Sequence, residues 1–163
     1  MKIEKIIITL FFNIVFSQSW VKDQLNDRQI NQAINVYNSG RYIAAQSILN
    51  KILLDQENVN REPAMALLIK LQIALNQTEL VKESSKKFFS EFPMSLYQKN
   101  VMESLGDFYV NQANYTSAYR MYVRSKKLNQ KKNNYNDRIN KKLLKLIQVR
   151  IPVHTLSELI ILE

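Results

Sequence analysis

Apolar positions recur at spacings of three and four along most of the chain, the period of helices with one buried face. Residues 27–38 place Ile30, Ala33, Ile34 and Tyr37 on one stripe. Asn38-Ser39-Gly40 closes it, with Gly40 suited to the left-handed position past a helix end. Tyr42, Ala45, Ile48, Leu49 and Ile52 predict a second helix to about Leu54. Asp55 to Arg61 is polar apart from Val59 and reads as a loop. Pro63 fits the first turn of a third helix, where its missing N–H costs nothing. Ala64 to Leu75 is so densely apolar that this helix is expected to be the most buried.

Asn76 and Glu79 have capping-box spacing ahead of a fourth helix that runs to Glu91 and stops at Pro93. Ser95 and Gln98 form a similar pair before a fifth helix, which ends near Asn111. A sixth covers Tyr115 to about Leu128, and Asn129 to Asn136 reads as a basic loop. Ile139, Leu143, Leu144, Leu146 and Ile147 mark a seventh. Pro152 breaks it, and Thr155 to Glu158 caps a short apolar helix, Leu156 to Leu162. Two Gly and three Pro in 163 residues leave few breakers, and the pattern implies helix nearly throughout.

The first twenty residues differ. Lys2 and Lys5 precede an apolar run, Ile6 to Phe16, and then small polar residues, the order of a secretory signal. The run is about half of what a helix needs to cross a bilayer. A signal over residues 1–19, cleaved near Ser17 to Ser19, is expected, with the mature chain periplasmic or secreted and without a membrane span.

Absence of Cys removes disulfides, thiolate metal sites and Cys nucleophiles, and also the attachment residue of a bacterial lipoprotein. His154 is the sole histidine, too few for a His-based metal site. No carboxylate, His or Ser cluster has a supporting motif, so no catalytic residue, cofactor, metal or small-molecule substrate is expected. The net charge of +9 is local. Acids and bases balance from Lys22 to Asp107, whereas from Arg120 to Arg150 the only acid is Asp137. Arg120, Arg124, Lys126, Lys127, Lys131, Lys132, Arg138, Lys141, Lys142 and Lys145 make a candidate partner surface, continuing to Arg150. An anionic surface or polymer, or an acidic protein face, suits it better than nucleic acid in an exported protein.

A period runs beneath the helices. Leu105-Gly106, Tyr109, Tyr115, Ala118 and Tyr122 resemble the tetratricopeptide (TPR) pattern of a small residue, an aromatic three later, and an aromatic–x–x–Ala pair. Gly40, Tyr42, Ala45 and Leu49 match its second half, with Ala33 at the first small position. Ile69 holds that position in a middle unit, and Pro93 stands where the family places its closing proline. The spacings, 69 − 33 = 36 and 106 − 69 = 37, slightly exceed the roughly 34 of an ideal repeat. Departures gather in the middle unit: Ile69 for a small residue, Val81 for Ala, Ser85 for an aromatic.

Phe88 to Tyr122 looks like bacterial cell-envelope TPR proteins of the Tol–Pal accessory and outer-membrane assembly types. The missing Cys departs from the lipoprotein member. The resemblance implies an all-α fold, an α-α superhelical solenoid of about three hairpins over residues 20–130. Basic and apolar helices over 131–163 would cap or continue it. It implies a protein-interaction scaffold in the envelope, with a protein partner. Alternatives are the N-terminal module of a larger periplasmic ligand-binding or sensory protein, or a basic adaptor for an anionic polymer or membrane. Inner-face candidates for partner contact are Asn31, Asn38, Lys70, Asn100, Glu103, Asp107 and Asn111. The apolar end, Leu156 to Leu162, could fold back, dock on another chain, or precede a further domain.

Overall fold

A computed structural model describes residues 27–129 and 134–149. Among them the protein is all-α. Helix α1 occupies residues 27–38. It is followed by α2 (Tyr42–Leu54), α3 (Arg61–Ala74), α4 (Thr78–Glu91), α5 (Gln98–Asn111), α6 (Tyr115–Leu128) and α7 (Asn134–Val149). The secretory-type segment, Lys131, Lys132 and the stretch from Arg150 lie outside the described residues. No helix among those described is long and apolar enough to cross a membrane. The chain divides inside α3 into two compact units, Met1–Leu67 and Leu68–Glu163.

The repeat is written in the backbone. Gly40, Asn76 and Ala113 all have positive φ, 75°, 54° and 56°. Their separations are 76 − 40 = 36 and 113 − 76 = 37. Each N–H donates to a carbonyl three residues back: Gly40 to Tyr37 (2.9 Å), Asn76 to Ile73 (3.0 Å), Ala113 to Val110 (3.0 Å). Each following N–H reaches five back: Arg41 to Val36 (3.2 Å), Gln77 to Gln72 (2.9 Å), Asn114 to Tyr109 (2.9 Å). This is the Schellman closure, which satisfies carbonyls that a helix end otherwise leaves unpaired. The next helix begins two residues past each left-handed position, at Tyr42, Thr78 and Tyr115. Three turns of one geometry at one spacing make three helical hairpins of a repeat arrangement.

Packing follows the same register. Ala33 and Ile69 are fully buried, and Gly106 is buried in α5. Ala45, Val81 and Ala118 are fully buried on the second helices. At Gly106 the reason for a small residue is direct, because a Cβ there would overlap the Tyr122 ring. Sixteen positions separate Gly106 from Tyr122, Ile69 from Ser85, and Ala33 from Leu49. Within each pair one residue is small where the other is large. Two of the middle unit's departures are therefore a size exchange between equivalent positions, Ile with Ser in place of Gly with Tyr, while fully buried Val81 is simply larger than Ala45 and Ala118 at its place. Buried Ser85 satisfies its hydroxyl on the Val81 carbonyl at 2.5 Å.

Helix α3 carries a dense set of buried residues, Ala64, Met65, Leu68, Ile69 and Leu71, as its composition requires. In α1, Val36 is buried and Ile34 is 39 % exposed, so the inward stripe is Ile30, Ala33 and Val36. The two expected capping boxes do not form. Asn76 serves instead as the left-handed closure of α3, and Gln77, the N-cap of α4, makes no side-chain cap bond. Ser95 Oγ accepts from Tyr97 N–H (2.9 Å), while Gln98 donates back to the carbonyls of Phe92 (3.1 Å) and Pro93 (2.6 Å). Asn114 is a true N-cap, accepting from Ser117 N–H at 3.1 Å.

Candidate functional site

In the second unit, α7 lies against the α5–α6 hairpin. Ala118 and Tyr122 of α6 form one buried cluster with Ile139, Leu143 and Leu146 of α7, and Tyr109 and Val110 of α5 pack against it. Leu143 stands 143 − 106 = 37 residues after Gly106, so α7 continues the register of the first helices.

A polar seam borders this cluster. Glu103 and Asp107 are one turn apart on α5, as are Arg138 and Lys142 on α7, so each pair projects from one helix face. The Arg138 guanidinium grips the Glu103 carboxylate with two bonds, Nε to Oε1 at 2.9 Å and Nη2 to Oε2 at 2.7 Å. Lys142 Nζ bridges both acids, 2.9 Å from Glu103 Oε1 and 2.7 Å from Asp107 Oδ1. Tyr122 donates its hydroxyl to Asp107 Oδ1 at 2.5 Å. Lys142 also lies over the Tyr122 ring, 5.4 Å from its centroid. One turn toward the α5 N-terminus, the Lys99 carbonyl lies 2.6 Å from Ser125 Oγ and 3.0 Å from Tyr135 Oη. Those two hydroxyls also touch each other, so one of them donates to the carbonyl and the other donates to its fellow hydroxyl. The Tyr135 ring carries Lys99 and Arg138 at 5.3 and 5.0 Å.

The electrostatics follow from this geometry. Burial pushes the Glu103 carboxyl up, but the hydrogen bonds and charges of Arg138 and Lys142 outweigh it and leave its pKa below the ordinary value. Burial, and then the bond to Asp107, push the Tyr122 phenol well above its usual range. The charges in the seam neutralise one another. Its chemical capacity is to hold α7 in register on the hairpin, through bidentate and bridging charge-assisted bonds that fix geometry.

The basic run is thereby divided. Arg138 and Lys142 are paired with Glu103 and Asp107, with Arg138 still exposed and Lys142 partly buried. Arg120, Arg124, Lys126 and Lys127 lie exposed on α6, and Lys141 and Lys145 on α7. Among the inner-face candidates, Glu103 and Asp107 are likewise committed, whereas Asn31, Asn38, Lys70, Asn100 and Asn111 are exposed. The signature residues Leu105, Gly106, Ala118 and Tyr122 come together at the hairpin crossing, with Tyr109 and Tyr115 half-buried beside it. In the first unit Tyr42 packs on Tyr37 with ring centroids 5.4 Å apart. Pro93 stands exposed in the α4–α5 turn.

Sequence reasoning missed two residues in that turn. Met94 and Leu96 are 90 % and 88 % exposed. The available signal was their position between Pro93 and the start of α5, a segment too short to fold an apolar side chain inward. No group of three or more His, Cys, Asp or Glu side chains placed to hold a metal ion occurs among the described residues. No protein-family model matches the chain, and no curated protein matches it.

Proposed function

We propose that the chain is a TPR-type interaction scaffold that works by holding a partner protein on repeated helical hairpins. The observation that carries this reading is the recurrence of one hairpin closure at Gly40, Asn76 and Ala113. Small and large residues alternate across the same register. Repeats of this kind bury their apolar faces on neighbouring hairpins and leave extended polar surface for recognition. The exposed Asn100 and Asn111 of α5 belong to that surface. The leader-like pattern of residues 1–19 supports an extracytoplasmic site of action in a bacterial envelope.

Photo-crosslinking from Asn100 and Asn111 in an envelope fraction tests the scaffold reading. A discrete adduct from these positions, and none from Glu79 on α4, is the expected result. Absence of any adduct from the α5 positions overturns it. Intact mass of the native protein tests export, with residues 1–19 expected to be missing.

A further inference from the structure

The two ends of the second unit differ in chemistry. At the hairpin-closing end, the turns after α3 and α5 carry Asn76, Gln77, Gln112 and Asn114. At the opposite end, where α4 passes to α5, Met94 and Leu96 project almost wholly into solvent. The contact of Ser125 Oγ with the Lys99 carbonyl places the last turn of α6 at this same end. That turn adds exposed Lys126 and Lys127 and the 47 % exposed Leu128, with exposed Arg124 one turn before. Acids nearby are already occupied: Glu91 faces Lys87 at 3.7 Å, and Glu103 is held by Arg138 and Lys142. Asp137 of α7 is an exposed acid.

We propose that this end of the unit is a docking surface for an anionic lipid bilayer. Met94 and Leu96 would enter the interfacial zone, with the α6 cations at the headgroups. Apolar side chains at the tip of a tight turn form a protrusion, which needs a yielding apolar medium and not a preformed groove. Lysine and arginine around such a tip keep their charges at the headgroup level while their alkyl stems follow the apolar surface. Anionic headgroups complement the cations. The loop α2–α3 of the first unit carries a similar pair, Leu54 at 80 % and Val59 at 65 % exposed. Both described loops between hairpins thus expose an apolar pair, and single apolar residues are also exposed on helices at Ile43, Leu80 and Leu144. This inference does not rest on the scaffold reading, since a lipid-binding edge and a protein-binding face are separate surfaces.

The test is co-sedimentation of the full chain with vesicles of equimolar phosphatidylglycerol and phosphatidylcholine, against vesicles of phosphatidylcholine alone. Wild-type protein is expected to partition onto the mixed vesicles and not onto the zwitterionic ones. Met94→Asp with Leu96→Asp is expected to lower partition by about tenfold or more, from the apolar area withdrawn from the interface. Arg124→Glu with Lys126→Glu should lower it as well, and added salt should do the same. Both pairs are exposed, so helical circular dichroism and thermal unfolding should be unchanged. Failure of the wild type to bind mixed vesicles overturns the proposal. So does undiminished binding by the Met94/Leu96 pair, including the case where that pair abolishes capture of a protein instead.

Discussion

Gly106 on α5 lies directly beneath the ring of Tyr122 on α6, so close that a single added methyl would overlap it. The same ring is held from its far end by the bond of its hydroxyl to Asp107. A clash at one end therefore cannot be relieved by sliding the ring without breaking the other. Gly106→Ala sets two effects against each other. Alanine is favoured over glycine inside a helix by about 1 kcal/mol, whereas overpacking costs roughly 1–3 kcal/mol. Here the steric term should win, because the neighbour is a fixed aromatic ring. With the steric term near the upper end of its range, the net loss is up to about 2 kcal/mol and thermal unfolding is expected to fall by up to about 5 °C. An unchanged or raised midpoint would show that the crossing is looser than this.

The middle hairpin makes the same contact rule testable by exchange. Ile69→Ala alone should cost about 2–5 kcal/mol by leaving a cavity. Ser85→Leu alone should cost roughly 1–3 kcal/mol by overpacking. Together they recreate the Ala33 and Leu49 combination of the first hairpin. The double variant should recover to within about 1.5 kcal/mol of wild type. Denaturant unfolding of the four proteins gives the coupling, and simple additivity would refute a shared register.

Ala113 holds a left-handed conformation that a side chain disfavours, with φ of 56°. Gly40 holds the equivalent place without strain, at φ of 75°. Ala113→Gly should stabilise the protein by about 0.5–1 kcal/mol, the steric relief exceeding the added freedom of the unfolded chain. Gly40→Ala should destabilise by a similar amount. Its Cβ would meet nothing within 4 Å, so any loss there is backbone strain alone.

These positions also show what the sequence could and could not reveal. The small residues at Ala33 and Gly106, and the breaker at Gly40, made the hairpins and their period legible, because backbone approach and left-handed turns admit few residue types. Asn76 was misread because asparagine serves equally at an N-cap and in a left-handed closure, and only backbone dihedrals separate the two. Ile34 and Val36 are both apolar and two apart, so periodicity alone could not decide which faces inward. The i,i+4 spacing of Glu103 with Asp107 and of Arg138 with Lys142 was present in the sequence. Their pairing was not, since it depends on α7 docking 35 residues later in the chain. Met94 and Leu96 were missed because hydrophobicity argues for burial and says nothing of a turn too tight to provide it.

Within the seam, Lys142 should matter more than Arg138. Lys142 is 28 % exposed and touches both carboxylates, whereas Arg138 is 55 % exposed and touches one. Lys142→Met leaves half-buried Glu103 short of a donor and Asp107 with Tyr122 alone, an expected loss of about 1–3 kcal/mol. Arg138→Met is expected to cost less than about 1 kcal/mol, the range of exposed ion pairs. Chemical denaturation at neutral pH ranks the two, and a reversed order would mean that the bidentate grip dominates.

The same network sets how stability responds to pH at both extremes. The folded-state pKa of Glu103 is lowered from an ordinary 4.5. Its contribution is fully present above that value and is lost as pH falls through the lower folded one. Tyr122 is shifted the other way, upward from 10.0. Its contribution is present below pH 10.0 and is lost as pH rises beyond it, when the unfolded chain can ionise and the folded one resists. Unfolding free energy should therefore decline on an acid limb and again on an alkaline limb. Glu103→Gln should flatten the acid limb and Tyr122→Phe the alkaline limb, each leaving the other in place. Tyr37 and Tyr135 are also raised, with burial the leading cause, so some alkaline slope should survive in Tyr122→Phe. An acid limb of unaltered steepness in Glu103→Gln would mean that the grip of Arg138 and Lys142 on Glu103 does not stabilise the docking of α7.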